Sequence, residues 1–216
     1  MKKVEPTKRT RVVREPHRGV YDRDACDAIL DEALVCHIGF SVEGQPYVIP
    51  TLFARVGDII YFHGSAASRM LKQLGGVTPM CLTVTLVDGI VLARSVFNHS
   101  INYRSVVVLG TATVVEDAAS KRQALKAFTD KLLTGRWGDA RPPTDNELAA
   151  TSVLQLPLDE FSAKVRTGPP IDKDEDMALP VWAGVLPLHV VADEPIRDEA
   201  CDPNLTPPVY ARFENR

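Results

Sequence analysis

Between Leu34 and Val115 the chain reverses direction every few residues, and this rhythm limits what it can fold into. Leu34 to Val42 reads as a strand, Gly44 supplies a turn, and Tyr47 to Arg55 reads as a second strand. Val56-Gly57-Asp58 turns the chain again before a third strand, Ile59 to His63. Asp88-Gly89 lies between the apolar stretches 80–87 and 90–94, the pattern of a tight hairpin. Tyr103 to Val115 is a long valine-rich strand, and Thr151 to Leu158 with Glu160 to Arg166 reads as a closing pair. Many short strands joined by adjacent hairpins predict a mainly β fold. A closed or partly closed antiparallel barrel is favoured over a doubly wound sheet. Pro50 interrupts the second strand; without a ladder donor it belongs at an edge, a bulge or an opening in the sheet.

Helices are few. Asp22 can cap a turn after which Cys26, Ile29, Leu30 and Ala33 recur at helical spacing. A short helix is predicted from Ser65 to Leu74, ended by Gly75-Gly76. Another starts from a capping box of Ser120 and Gln123 and shows Leu125, Phe128 and Leu132 on one face. Three regions follow: a basic N-terminal arm (1–20), a main domain (21–192) and an extended proline-rich tail (193–216). The arm carries Lys2, Lys3, Lys8, Arg9, Arg11, Arg14 and Arg18; it suits a polyanion, but the plainer reading is a solvated extension over the domain or a partner subunit. The segment 168–180 reads as loop, and Val181 to Val190 as a late strand carrying Trp182.

Composition narrows the function. The formal net charge of -3 provides no global attraction for a polyanion, so nucleic acid is not an expected partner. No apolar run approaches the length of a membrane span, and the basic N-terminus leads into no apolar signal core. Cys26, Cys36, Cys81 and Cys201 form no CxxC or CxxH pair, and three of them read as buried thiols suited to a reducing, cytoplasmic setting. His17, His63, His99 and His189 show no short metal-ligand spacing, so no metal site is expected. His37 stands in an apolar strand and reads as a core histidine. His99 lies near Ser95 and Ser100, but no nucleophile elbow or orienting carboxylate makes a triad.

The densest chemistry is in Tyr61-Phe62-His63-Gly64-Ser65-Ala66-Ala67-Ser68-Arg69-Met70. A strand ending in glycine before a small-residue helix leaves amides near Ser65 to Ser68 for an anion. Ser65 and Ser68 add hydroxyls, and Arg69 adds a planar guanidinium. The same residues also suit a capped helix whose Arg69 pairs on the surface. A second group, Asn102-Tyr103-Arg104-Ser105, opens the long strand. A buried Arg104 needs an anion there or a carboxylate of the same chain. Neither GxGxxG nor GxxxxGK[ST] occurs.

Three segments together resemble the pyridoxamine 5'-phosphate oxidase superfamily, particularly its nitroimidazole-reductase-like branch. They are Gln45-Pro46-Tyr47-Val48-Ile49-Pro50-Thr51-Leu52, the stretch Tyr61 to Leu74, and Asn102-Tyr103-Arg104-Ser105-Val106 leading to Gly110. The resemblance spans roughly residues 22–190. It implies an FMN-binding split β-barrel with peripheral helices, working as a homodimer with FMN at the interface. It places Val48, Ile49, Pro50, Thr51 and Leu52 beside the flavin ring and His63, Gly64, Ser65, Ser68 and Arg69 at the phosphate. Tyr103, Arg104 and Ser105 approach the cofactor. Two departures weaken a phosphorylated-vitamin substrate: Met70 stands where the vitamin oxidases carry lysine, and Leu52 where they carry a basic residue.

The leading expectation is therefore an FMN-dependent oxidoreductase with a small-molecule electron donor or acceptor. The alternatives are a flavin-binding storage, sensor or interaction protein, or a dimeric barrel that has lost its cofactor. No side chain stands out as a catalytic acid or base. Trp182 is expected at the cofactor rim or dimer seam, with a core-sealing role as the other reading.

Overall fold

A computed structural model describes residues 4–211. Lys2 and Lys3 of the arm and residues 212–216 of the tail lie outside the described residues. The strands are β1 (Gly19–Val20), β2 (Val35–Val42), β3 (Gln45–Val56), β4 (Ile59–Ser65), β5 (Pro79–Leu92), β6 (Ser100–Thr111), β7 (Thr113–Val114), β8 (Thr151–Pro157), β9 (Glu160–Arg166) and β10 (Gly184–Pro187). The helices are α1 (Arg23–Glu32), α2 (Arg69–Leu74), α3 (Ala118–Leu132), α4 (Arg136–Asp139) and α5 (Asp145–Ala150). The result is a mixed α/β, sheet-rich domain. One ten-stranded antiparallel sheet runs β1-β9-β6-β5-β2-β3-β4-β8-β7, and β10 adds to β5.

The expected split β-barrel is corrected here, because the sheet does not close. Its path ends at β1 on one side and β7 on the other, and no ladder joins them. Each end strand is only two residues long, too short to carry a closing register. The anticipated closing pair, β8 and β9, does not pair with itself. β8 lies between β4 and β7, while β9 lies between β6 and β1. Long strands instead turn between the two parts of the sheet. β3 pairs with β2 from Gln45 to Leu52 and with β4 from Phe53 to Val56. Pro50 lies in the first stretch, paired with His37 of β2, where β4 does not reach and the other edge of β3 has no strand partner among the described residues.

The predicted Asp88-Gly89 hairpin is also corrected. β5 runs straight through, with a bulge between Val87 and Gly89. Glycine is required there for close approach rather than for a turn. A Cβ on Gly89 would lie 3.0 Å from both the Leu186 carbonyl oxygen and the Val185 side chain of β10. Asp22 caps α1 by accepting from the Ala25 amide, as expected. α3 starts earlier than expected, because Asp117 accepts from Ala119 and Ser120 in place of the predicted Ser120–Gln123 box. The true capping box is Thr144 with Glu147, opening α5.

The core lies between α1, α2 and the inner sheet face. Cys26, Ile29 and Leu30 of α1 pack with Phe53, Phe62, Leu82, Val106 and Phe161. Each large apolar side chain buried there contributes roughly 1.5–3 kcal/mol before entropic costs. Burial pushes the Cys26 and Cys36 thiols up to about 12. Cys81 is half-buried, and all four cysteines are free. The arm lies over its own chain: Thr7 and Arg9 donate to Glu160 at 2.5 and 3.1 Å.

Candidate functional site

The predicted site residues fall at three places. Val48, Pro50 and Leu52 point outward from β3, with Val48 68% exposed, whereas Ile49 and Thr51 alternate toward the interior. Directly opposite on β2 stand Gly39, His37 and Val35. The same rows continue through Cys81 and Thr83 of β5 to Leu109 and Val107 of β6. This side of β3, β2, β5 and β6 forms a face rich in apolar groups. His37 is exposed on it, which corrects its reading as a core histidine.

His63 sits on β4 above α3, its ring edge-on to Phe128 with centroids 4.3 Å apart. Its Nδ1 is buried with no hydrogen-bond partner, and burial holds the imidazole below the usual histidine range. His63 opens into a cavity of about 410 Å³ walled by Leu52, Leu125, Phe128, Leu132, Trp137 and the Arg141–Glu147 pair. Next along the chain, the amides expected to cradle an anion are engaged internally. Ala66 donates to the Ala150 carbonyl, Ala67 to Ser65 Oγ, and Ser68 to the Ser65 carbonyl. Ser68 caps α2 through the Leu71 amide. What remains for an anion is Arg69, exposed and making no ion pair among the described residues, its guanidinium 5.1 Å over the Tyr47 ring. Met70 is buried in the core, so a position where the vitamin oxidases carry lysine supplies packing here.

The third place is a slot that sequence reasoning missed. One edge of β5 is paired throughout with β6, leaving the opposite edge for both β2 and β10. β2 covers it from Met80 to Thr83, and β10 covers it from Gly89 to Leu92. Between them Val84 to Asp88 has no strand on that edge, and a cavity of about 440 Å³ opens there. Leu34, Val35, Leu86, Val87, Leu188 and Val190 supply apolar walls; His37 and His189 bring imidazoles. Neither imidazole makes a hydrogen bond or ion pair among the described residues.

Arg104 reaches this slot but is already satisfied, the same-chain alternative that its sequence left open. It pairs with both carboxylate oxygens of Glu32, one at 2.7 Å, and with Asp88 at 2.7 to 3.2 Å. The two carboxylates raise its pKa. Tyr103 lies between Val87 and Arg166 in register, and Ser105 donates to the Lys164 carbonyl at 3.2 Å. Trp182 is 69% exposed and folds back over Gly184, which removes its core-sealing reading. The slot and the His63 cavity adjoin: Val35 lines one, Leu52 the other, and the two face each other on the β2–β3 ladder. Among the described residues no group of three or more His, Cys, Asp or Glu could hold a metal ion, and no helix is long and apolar enough to cross a membrane.

The family of this open antiparallel sheet with its adjoining cavities follows from comparison with known proteins. Residues 22–165 match the pyridoxamine 5'-phosphate oxidase family model, and the chain belongs to that family, within a superfamily of flavin-binding proteins. Among solved structures it is similar to the flavocytochrome Anf3 from Azotobacter vinelandii, at 43% identity and TM-score 0.90 over 94% of this chain and 95% of that one. It is similar also to the FAD- and haem-binding protein from Mycobacterium smegmatis, at 36% identity and TM-score 0.87 over 90% and 95%. A proposed 5-nitroimidazole antibiotic resistance protein from Bacteroides thetaiotaomicron matches at 25% identity and TM-score 0.57, over 68% and 86%. Among curated proteins, no sequence matches the chain.

Proposed function

We propose that this chain is a redox protein that binds FAD and haem in the two adjoining cavities, acting as an oxidoreductase or electron carrier. The observation that carries this reading is their common border at Val35 and Leu52, partners on one ladder. Strand partners of an antiparallel pair lie roughly 4.5–5.5 Å apart at Cα, so groups held on either side are near neighbours. Two similar proteins, one named a flavocytochrome and the other an FAD- and haem-binding protein, align over almost the whole chain and support the pairing. FAD replaces the FMN of the sequence expectation on the strength of the second of these.

The residues fit both groups. Leu52 and the outward side of β3 offer an apolar surface for a flavin ring, His63 offers a neutral imidazole with an unpartnered Nδ1, and Arg69 offers an unpaired cation for phosphate. The slot along β5 has the apolar walls and imidazoles that a haem requires. A bound flavin exchanges electrons in pairs or singly and a haem exchanges them singly. The protein's part is to hold them close and exclude water. A second copy of the chain covers the outward face of β3 and β2, where Val48, Leu52 and Val35 are exposed. The test is cofactor analysis of the full chain purified with flavin and haemin supplied: acid-released flavin is identified by chromatography and haem by its pyridine haemochrome. One FAD and one haem per chain are expected; FMN as the sole flavin, or no haem uptake, overturns the reading.

A further inference from the structure

The pocket beside β5 is built from two parts of the chain with different histories of resemblance. The family model ends at residue 165, and the nitroimidazole-resistance structure covers 68% of the chain. The two similar structures whose names carry a haem or a cytochrome cover 90% and 94%. At those coverages both alignments reach into the segment beyond residue 165, which the family model leaves out. That segment contributes Leu188, His189 and Val190 to the pocket. His189 is the single histidine in that segment.

Its position is fixed by the fold. β10 pairs with β5 up to Pro187 opposite Gly89, and the Leu188 amide then donates to the Asp88 carbonyl at 3.1 Å. That bond carries the ladder one step further and holds the following residue at the slot. An imidazole with no competing partner, beside aliphatic walls, is a favoured ligand for haem iron. Resting on the haem reading above, we propose that His189 is the protein ligand to the iron of a haem bound between β5 and the C-terminal segment, with His37 a wall residue on the opposite strand. In that position the imidazole would hold the haem, and the aliphatic side chains of the slot would pack against it.

The experiment titrates haemin into the full chain and into its His189→Ala and His37→Ala variants, following the Soret band and the electron paramagnetic resonance of the ferric form. His189→Ala is expected to bind haemin at least tenfold more weakly with a shifted Soret band, while its flavin content stays at the wild-type level. Added imidazole restores the wild-type spectrum by filling the vacated coordination position. His189 is exposed on an irregular segment, so the fold survives the substitution; retained flavin verifies it. A wild-type spectrum in His189→Ala overturns the assignment, and its loss in His37→Ala alone moves the ligand to β2. Failure of the wild type to take up haemin overturns the functional reading itself, a result distinct from either variant outcome.

Discussion

Arg104 is the residue whose loss the structure prices most clearly. Its guanidinium joins Glu32 at the end of α1 to Asp88 at the bulge of β5, across elements that no backbone ladder connects. Arg104→Met keeps most of the aliphatic stem and leaves the two carboxylates at the slot without their shared cation. The three side chains are 27 to 30% exposed, between a surface pair worth at most about 1 kcal/mol and a buried pair whose breakage costs about 3–5 kcal/mol. A destabilisation of about 2 kcal/mol follows, or roughly 4–8 °C in Tm for a chain of this size. Calorimetry of the cofactor-free protein measures it, and adding Glu32→Gln and Asp88→Asn to the variant should recover most of the loss. Flavin affinity should stay at the wild-type level, because Arg104 spends its donors on protein carboxylates. A Tm within about 1 °C of wild type combined with weakened flavin binding would refute this reasoning and return Arg104 to the cofactor.

Four further outcomes are expected. His63, held below the usual range by burial, contributes stability that is present above about pH 6.5 and lost as pH falls, because the unfolded chain takes up the proton first. The loss is at most about 1.4 kcal/mol per pH unit, and in paired urea titrations His63→Gln should flatten it relative to wild type. Arg69→Ala should weaken FAD and FMN by about one to two decades but leave riboflavin nearly unchanged, as equilibrium titrations of all three would read; equal losses sink the phosphate role. A thiol reagent at pH 8 should label Cys81 and Cys201 in the native protein well before Cys26 and Cys36, whose thiols are buried and pushed up to about 12. Sedimentation should give about twice the chain mass, and Val48→Glu on the outward face should shift it toward the monomer; a monomeric wild type removes the self-association proposal.

Local patterns were legible where one short-range rule decides the outcome. Asp22 before Cys26, Ile29 and Leu30 announces α1, and the alternation around Gly44 announces β2 and β3. The sequence also raised the two ways of satisfying Arg104, but the choice between them depends on Glu32 and Asp88, which lie 72 and 16 residues away. Closure of the sheet was misjudged for a similar reason. Strand content is local, whereas the partners of β8 and β9 are fixed by long-range pairing. Thr144-x-x-Glu147 carried a capping signal that could have revealed α5. The anion cradle failed because Ala150 and Ser65, invisible as acceptors from spacing alone, take the amides near Ser68.

The misread Asp88-Gly89 turn and the overlooked slot have one cause. If β5 had turned there, its edge would have ended near β2, and no second strand could have joined it beyond the bulge. Because Gly89 lets β10 approach within van der Waals contact, β5 continues and receives a strand from the C-terminal segment. The gap between the start of β2 and the end of β10 then becomes a pocket rather than bare sheet edge. Asp88, at the bulge, pairs directly with Arg104 at the edge of that pocket, and its carbonyl anchors Leu188 beside His189. A bulge that looks like a hairpin in sequence thus helps to form the slot next to the cavity at His63.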